Sequence, residues 1–162
     1  MFKIKLSILL LTSFFIFSCA NNQNNQFNQK YSLAYIGGDY DGLLLKNYLM
    51  GNLKNFNIYD PNSNLEIKST INHTTSSYIT NINNTSDRER INTRLSFQII
   101  NTVTNCEVLN DEISVSQFYI YTSSDKFLSN LTAAKEIKKN NTEATVRHFL
   151  NKLKGVSSEC NE

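Results

Sequence analysis

The sequence predicts an α+β domain, in which a four-stranded mixed sheet carries two helices packed on one face, in the order β-α-β-β-β-α. Three segments beyond residue 64 alternate apolar and polar residues, as half-buried strands do. Two other segments repeat apolar residues at helical spacing. Short connections join the last three strands and predict an antiparallel meander, whereas the first strand reaches the second through a helix, which favours a parallel pairing. Packing both helices on one face buries every apolar surface and leaves the other face uncovered.

The first two elements are a short strand and a helix. Residues 31–36 (YSLAYI) are the strand candidate, and Gly37-Gly38 ends it. Asp39 or Asp41 is predicted to cap the helix, which runs to about Asn55. The residues at helical spacing that form its apolar face are Leu45, Tyr48, Leu49, Asn52, Leu53 and Phe56.

Three strands are predicted in the middle of the chain. The first covers residues 65–80 and the second covers residues 90–103. In the second strand, the alternation assigns one face to Ile91, Thr93, Leu95, Phe97 and Ile99. A turn at residues 104–107 leads to the last strand, which covers residues 112–121.

A long helix closes the domain. The segment Ser123-Ser124-Asp125 offers caps, and the helix is predicted to run to about Lys154. Asn140-Asn141 is expected to bend or fray its middle. Its apolar residues are Ala133, Ala134, Ile137, Val146, Phe149, Leu150 and Leu153. The single folded domain therefore spans residues 31–155, and residues 156–162 are predicted to be a polar tail.

The first eighteen residues have the pattern of a bacterial lipoprotein signal. Two lysines precede an apolar run at residues 6–17, which is shorter than the roughly 20 residues of a membrane span. The segment Ile16-Phe17-Ser18-Cys19 resembles the lipobox, in which the cysteine is diacylated and the signal is cut before it. We therefore expect residues 1–18 to be removed and Cys19 to carry a lipid anchor. A plain signal peptide with a chance cysteine is the alternative.

The residues after Cys19 predict the membrane that holds the lipid anchor and the flexibility of the segment that follows it. Ala20 stands in the position where Asp would act as a retention signal, and in enteric bacteria this directs a lipoprotein to the outer membrane. The run NNQNNQFNQK has almost nothing to bury. Residues 19–30 are thus expected to be a lipidated cysteine followed by a flexible polar tether.

Charge and cysteine content limit the function classes. Loss of Lys3 and Lys5 with the signal lowers the Lys and Arg count from 16 to 14, against 14 Asp and Glu. A chain without net charge is not expected to bind nucleic acid through a generally basic surface. Cys106 and Cys160 either form a disulfide in an oxidising periplasm or remain two thiols. No histidine lies at metal-ligand spacing from them, so no metal site is predicted.

The arginines carry the main binding hypothesis. Arg88, Arg90 and Arg94 are three of only four arginines, and all three lie on the uncovered face if the strand extends back to residue 88. They then form a row roughly 20 Å long, and Lys68 has the same parity on the neighbouring strand. Guanidinium groups bind phosphate oxygens through paired hydrogen bonds, which predicts a site for a phosphorylated headgroup or an acidic partner. The alternative is a solvated face with ion pairs to Glu66, Asp87, Glu89 and Glu112.

Apolar residues accompany these cations. Lys126 is followed by Phe127-Leu128, which makes it a candidate binding residue that combines a cation with an apolar contact; a plain surface lysine is the alternative. Phe118 and Ile120 are predicted on the uncovered face, and a patch of such residues beside arginines indicates an interface.

No catalytic site is predicted. His73 and His148 have no carboxylate, serine or cysteine partner at a recognisable spacing. Nothing suggests a cleft around Asp87 and Glu89, and there is no glycine-rich loop to hold a phosphate. The sequence therefore predicts a protein that is not an enzyme and has no cofactor.

A family resemblance rests on short motifs spread over most of the mature chain. They are Asp41-Gly42, Leu44-Leu45 and Leu49 in the first helix, Tyr59, the run TSDRER at residues 85–90 leading into Leu95-Ser96-Phe97-Gln98-Ile99, then Tyr119, Tyr121 and Asn130-Leu131-Thr132-Ala133-Ala134. Together with the lipobox and the order of the elements, they resemble the LPS-assembly lipoprotein family LptE, in its divergent alphaproteobacterial form.

The resemblance implies a function. LptE proteins are outer-membrane lipoproteins without enzymatic activity that sit as a plug inside the β-barrel of LptD and contact lipopolysaccharide. We therefore expect LptD and lipopolysaccharide as partners, and an outer-membrane location facing the periplasm or the barrel lumen. A lipoprotein regulator of a periplasmic synthase or a secretin pilot protein is the second hypothesis.

Overall fold

The structure, a computed structural model, describes residues 27–79, 86–120, 126–157 and Cys160. Its elements are β1 (Ser32–Gly37), α1 (Asp39–Asn55), β2 (Leu65–Ile79), β3 (Ser86–Asn101), β4 (Cys106–Ile120) and α2 (Phe127–Leu153). The strands form one sheet in the order β1-β2-β3-β4, with β1 parallel to β2 and the other pairs antiparallel. This confirms the predicted α+β fold, a four-stranded mixed sheet with two helices. None of the described helices has the length and apolar character needed to cross a bilayer.

The core lies between the helices and one face of the sheet. In β3 the buried residues are Ile91, Thr93, Leu95, Phe97 and Ile99, while Arg94 and Ser96 between them are exposed. The alternation read from the sequence is therefore confirmed. The helices contribute buried stripes of residues three and four apart, which are Leu45, Leu49 and Leu53 in α1 and Val146, Phe149, Leu150 and Leu153 in α2.

Helix α1 begins after Gly38, and the predicted Asp cap is wrong. Gly38 has φ 117° and no side chain caps the helix. A Cβ at Gly38 would lie 2.6 Å from the carbonyl oxygen of Ile71, so both the backbone conformation and the space require glycine. Asp39 and Asp41 lie in the first turn instead, where their carboxylates interact favourably with the helix dipole.

The hairpin of β3 and β4 is longer than predicted. β3 begins at Ser86 and ends at Asn101, and β4 begins at Cys106, six residues before the predicted start. The register shifts between Ile99 and Ile100, which places one extra residue, Val108, in β4. Because this bulge interrupts the period of two, the first half of β4 has no alternation to detect.

Helix α2 runs without a break through the pair that was expected to bend it. Asn141 is completely buried, and its Nδ2 donates a hydrogen bond to the carbonyl oxygen of Ile91 at 3.2 Å. The polar side chain thus connects the helix to β3. The predicted caps at residues 123–125 lie outside the described residues, and Lys126 precedes the first turn.

The folded domain is longer at both ends than the sequence predicts. The ring of Phe27 lies 5.3 Å from that of Phe56, so the last part of the predicted tether packs on the domain. At the other end, Val156 packs against the core and a disulfide joins Cys160 to Cys106, with 5.9 Å between their Cα atoms. The predicted signal peptide and Cys19 lie outside the described residues.

Candidate interaction surface

Arg90 lies on the uncovered face of the sheet, in contact with two aromatic side chains. Its Nη2 donates to Ser116 Oγ at 3.0 Å and its Nη1 to Tyr78 Oη at 3.4 Å. The guanidinium carbon lies 5.7 Å from the ring centre of Phe118, which in turn makes an edge contact with Tyr78. The hydrogen bond from Arg90, a second one from Ser76 and the nearby positive charge lower the pKa of Tyr78. Arg90 is therefore held in one orientation before any ligand arrives.

Arg88 occupies the next row of the sheet. It is exposed and lies directly opposite Tyr78 on one side and Ile120 on the other. Arg90 and Arg88 are two residues apart on one strand, so their side chains project from the same face about 6.8 Å apart. This end of the uncovered face thus combines two cations with large apolar side chains.

Exposed apolar residues lie in both layers at this end of the domain, and we call them together the apolar tip; they are Tyr78, Phe118, Ile120, Phe127, Leu128 and Leu131. Ile120 is 72% exposed and Leu128 is 75% exposed, and several such large hydrophobic residues at one end of a domain indicate an interaction site. The first three come from the sheet and the last three from the start of α2.

The packing of α2 explains why both layers contribute to the tip. An ion pair between Lys152 and Asp111 places the end of the helix beside the first half of β4, so α2 runs antiparallel to that strand. From Lys152 back to Phe127 the helix rises about 38 Å, whereas β4 rises about 31 Å from Asp111 to Ile120. The first turn of α2 therefore reaches past the end of the strand.

The structure separates the predicted binding residues. Arg94 lies on the uncovered face as predicted, but its Nε contacts Glu112 Oε1 at 3.0 Å, which is the alternative that the sequence left open. Lys68 lies opposite Gln98, about 13 Å further along the sheet than Arg94 and away from the tip. Lys126 is exposed and lies directly before α2, at the same end as Arg88. Arg88, Arg90 and Lys126 thus remain as the cations of the apolar tip.

His73 has two partners that the sequence did not reveal. Its Nδ1 lies 2.7 Å from Thr93 Oγ1, and its Nε2 lies 3.8 Å from Asp41 Oδ2. The side chain is 1% exposed and Thr93 is completely buried, so a substrate has no access to either group. The three residues come from β2, β3 and α1, which no spacing in the sequence connects. In the sequence, the only sign that His73 faces the core is its position in the alternation of β2, on the same side as Ile71.

We expect His73 to make the stability depend on pH. Burial lowers its pKa, the carboxylate of Asp41 partly opposes this, and the charge of Lys138 on α2 lowers it further. The unfolded chain takes up the proton near pH 6.5 and the folded chain only at lower pH, so the free energy of unfolding falls as the pH drops below about 6.5. One proton changes it by at most about 1.4 kcal/mol per pH unit.

Urea unfolding at pH 7.5 and pH 5.5 measures this effect. The variant His73→Gln is expected to lose less stability between the two pH values than the wild type. His148→Gln, which changes an exposed histidine on α2, is the control and keeps the wild-type pH dependence. An unchanged pH dependence in His73→Gln would show that the proton binds elsewhere.

Solved structures of bacterial lipoproteins share this fold. Rare lipoprotein B from Shewanella oneidensis superposes with a TM-score of 0.55 at 13% identity, covering 76% of this chain and 96% of that one. A minor lipoprotein from Acinetobacter baumannii gives 0.53 at 11% identity, covering 78% and 92%. Uncharacterized lipoprotein B from Nitrosomonas europaea gives 0.56 at 11% identity, covering 76% and 80%. No protein-family model and no curated protein matches the chain.

Proposed function

We propose that this chain is a lipid-anchored, non-enzymatic partner of an outer-membrane β-barrel, LptD by the family resemblance, and that it contacts lipopolysaccharide during its insertion. The apolar tip with Arg88 and Arg90 is the observation that carries the proposal. The lipobox ending at Cys19 and the fold shared with bacterial lipoproteins support the anchor.

The composition of the tip matches the chemistry of lipopolysaccharide. Its headgroup carries phosphates and its tails are acyl chains. Guanidinium groups attract phosphate oxygens, and the tip carries those of Arg88 and Arg90, of which Arg90 is already oriented by Tyr78, Ser116 and Phe118. The adjacent apolar side chains offer a surface for acyl chains or for the barrel wall.

The exposed face of the sheet also fits a position inside a barrel. Towards its middle it presents short polar side chains, including Asn92 and Ser114, which form a hydrogen bond of 2.8 Å across two strands. The lumen of an outer-membrane barrel is polar, whereas its outer surface is apolar. A plug therefore needs a polar face of this kind, with apolar contacts confined to one end.

Purification of the tagged full chain from outer membranes in mild detergent tests the partner. We expect LptD to co-purify in equal amount. The double variant Phe118→Ser, Ile120→Ser removes apolar surface from the tip without touching the core, and should lose at least 90% of the bound barrel. Leu43→Ser, which changes an exposed leucine on α1, is the matched control and should retain it. Recovery of a periplasmic synthase or a secretin in place of LptD would overturn the proposal.

The same preparations test the ligand, by displacement of a fluorescent probe from lipopolysaccharide. In the double variant Arg88→Ala, Arg90→Ala the dissociation constant should rise at least tenfold, equivalent to about 1.4 kcal/mol. The double variant Lys139→Ala, Arg147→Ala is the matched control, because it also removes two positive charges and both residues are exposed on α2, where they pair with Glu136 and Glu143. An equal loss in both variants would mean that net charge, and not the tip, governs binding.

A further inference from the structure

A bulge in β1 turns an aromatic side chain onto the uncovered face. Leu33 pairs with Ile67, but the next pair joins Tyr35 to Lys68, so Ala34 is an extra residue. Without the bulge, Tyr35 would point towards the helices, on the same side as Leu33. Its side chain is instead 62% exposed, on the half of the sheet that lies away from the apolar tip.

The ring of Tyr35 lies along the strand against a glycine. A Cβ at Gly37 would come within 2.9 Å of both Tyr35 Oη and Thr70 Oγ1. Gly37 pairs with Thr70, and Thr70 pairs with Ser96, so the row of the sheet beside the tyrosine has small side chains on β1, β2 and β3, and Glu112 ends it on β4. The neighbouring row, which begins with Tyr35, carries longer side chains. The difference in height between the two rows leaves a groove across the sheet.

The row of longer side chains contains one residue from each strand. Tyr35 pairs with Lys68, Lys68 with Gln98, and Gln98 with Asn110. These four residues, with Thr70 and Ser96, line a cleft of about 260 Å³. Sites for drug-sized ligands measure about 300–1,000 Å³, so this open cleft is of a size that suits a single ring.

The two amides of the row are oriented by one carboxylate. Gln98 Nε2 donates to Glu107 Oε2, and Asn110 Nδ2 donates to the same oxygen at 3.2 Å. With both NH₂ groups directed at Glu107, the amide oxygens are left to accept hydrogen bonds. Lys68 forms no ion pair with a described residue, and it adds a donor between the aromatic ring and the amides.

We infer that this groove binds one neutral pyranose unit of a glycan. The ring of Tyr35 offers an apolar face for the C–H face of the sugar, and the amide oxygens with the Lys68 ammonium group match its hydroxyl groups. Glu66, two residues before Lys68, and Glu107 place two negative charges beside the one positive charge, which disfavours an acidic sugar. The site lies apart from the apolar tip and does not rest on the proposed function.

Saturation-transfer NMR on the full chain, in a detergent without a sugar headgroup, tests the inference. The probes are methyl glucopyranoside, N-acetylglucosamine and glucuronate. We expect saturation transfer to the two neutral sugars with dissociation constants in the millimolar range, and weaker binding of glucuronate. No transfer to either neutral sugar, or tighter binding of glucuronate, would overturn the site.

Variants locate the binding. Tyr35→Ala should weaken it at least tenfold, while Tyr35→Trp should retain it because the aromatic face remains. Gln98→Ala should weaken it several-fold by removing an acceptor. The matched control is Tyr40→Ala, since Tyr40 is exposed on α1 in the helical layer. Equal loss with Tyr40→Ala would overturn the assignment to the groove.

Larger probes identify the source of the sugar. Dephosphorylated core oligosaccharide from lipopolysaccharide and chitotetraose both contain neutral pyranose units. Tighter binding of the former assigns the groove to lipopolysaccharide, and tighter binding of the latter assigns it to a wall-like glycan; either result supports the site. Binding of neither would contradict it. The barrel co-purification is a separate measurement, so the proposed function and the groove can fail independently.

Discussion

Phe97→Ala is expected to lower the free energy of unfolding by about 3–5 kcal/mol, the usual cost of truncating a buried Phe. Phe97 is 3% exposed, and its ring centre lies 4.6 Å from that of Phe149 in an edge-to-face contact. The lost ring leaves a cavity between β3 and α2 that the helix cannot close without breaking its neighbouring contacts. Urea unfolding followed by circular dichroism measures the change, as a lower midpoint with an unchanged slope.

Arg94→Ala is the matched comparison, because Arg94 lies three residues away on the same strand but on the uncovered face. Its ion pair with Glu112 is about half exposed on both sides, and such pairs contribute about 0–1 kcal/mol. The contrast between the two variants tests the assignment of faces on which the interaction surface depends. Similar losses in both would contradict it.

The alternation of β3 was sufficient to predict which of its residues face the core. Five residues at even spacing in β3 were assigned to the core and all five are buried. The helical spacing in α2 likewise identified Val146 and Phe149 as core residues. Both patterns are local and continuous, so they survive in the sequence without knowledge of what packs against them.

Interrupted patterns were missed for a physical reason. The bulge at Val108 hides the first half of β4, and the bulge at Ala34 reverses the face of Tyr35. A bulge adds one residue to a strand, and every side chain beyond it then changes face. Because nothing in the local composition marks either position, the groove at Tyr35 could not be predicted.

For the candidate binding residues, too, the sequence predicts the face of the sheet but not the neighbouring side chains. Parity placed Arg90 and Arg94 on the uncovered face correctly, but the register decides which neighbours they meet. The register puts Arg90 between Ser76 and Phe118, and it puts Lys68 opposite Gln98, far from both arginines. The error at Asn141 is of the same kind, since a polar residue that favours a break in an isolated helix here bonds to the backbone of β3.

Loss of the disulfide between Cys106 and Cys160 is expected to destabilise the domain by about 2–4 kcal/mol. The two cysteines are 54 residues apart in sequence, and closing a loop of that length removes much of the conformational freedom of the unfolded chain. The bond also holds the end of the chain beside the start of β4. Val156, which packs against the core, lies between this bond and α2.

Thermal unfolding of Cys106→Ser, Cys160→Ser beside the wild type, each with and without reductant, measures the contribution. The wild type should lose stability on reduction and approach the double variant, while the double variant should not respond. A wild type that is unaffected by the reductant, although thiol titration shows full reduction, would contradict the expectation. Because the bond joins the tail to the β3–β4 turn, and not to the apolar tip, the double variant should still bind lipopolysaccharide at a temperature where it is folded. A loss of binding under those conditions would mean that the two ends of the sheet are coupled.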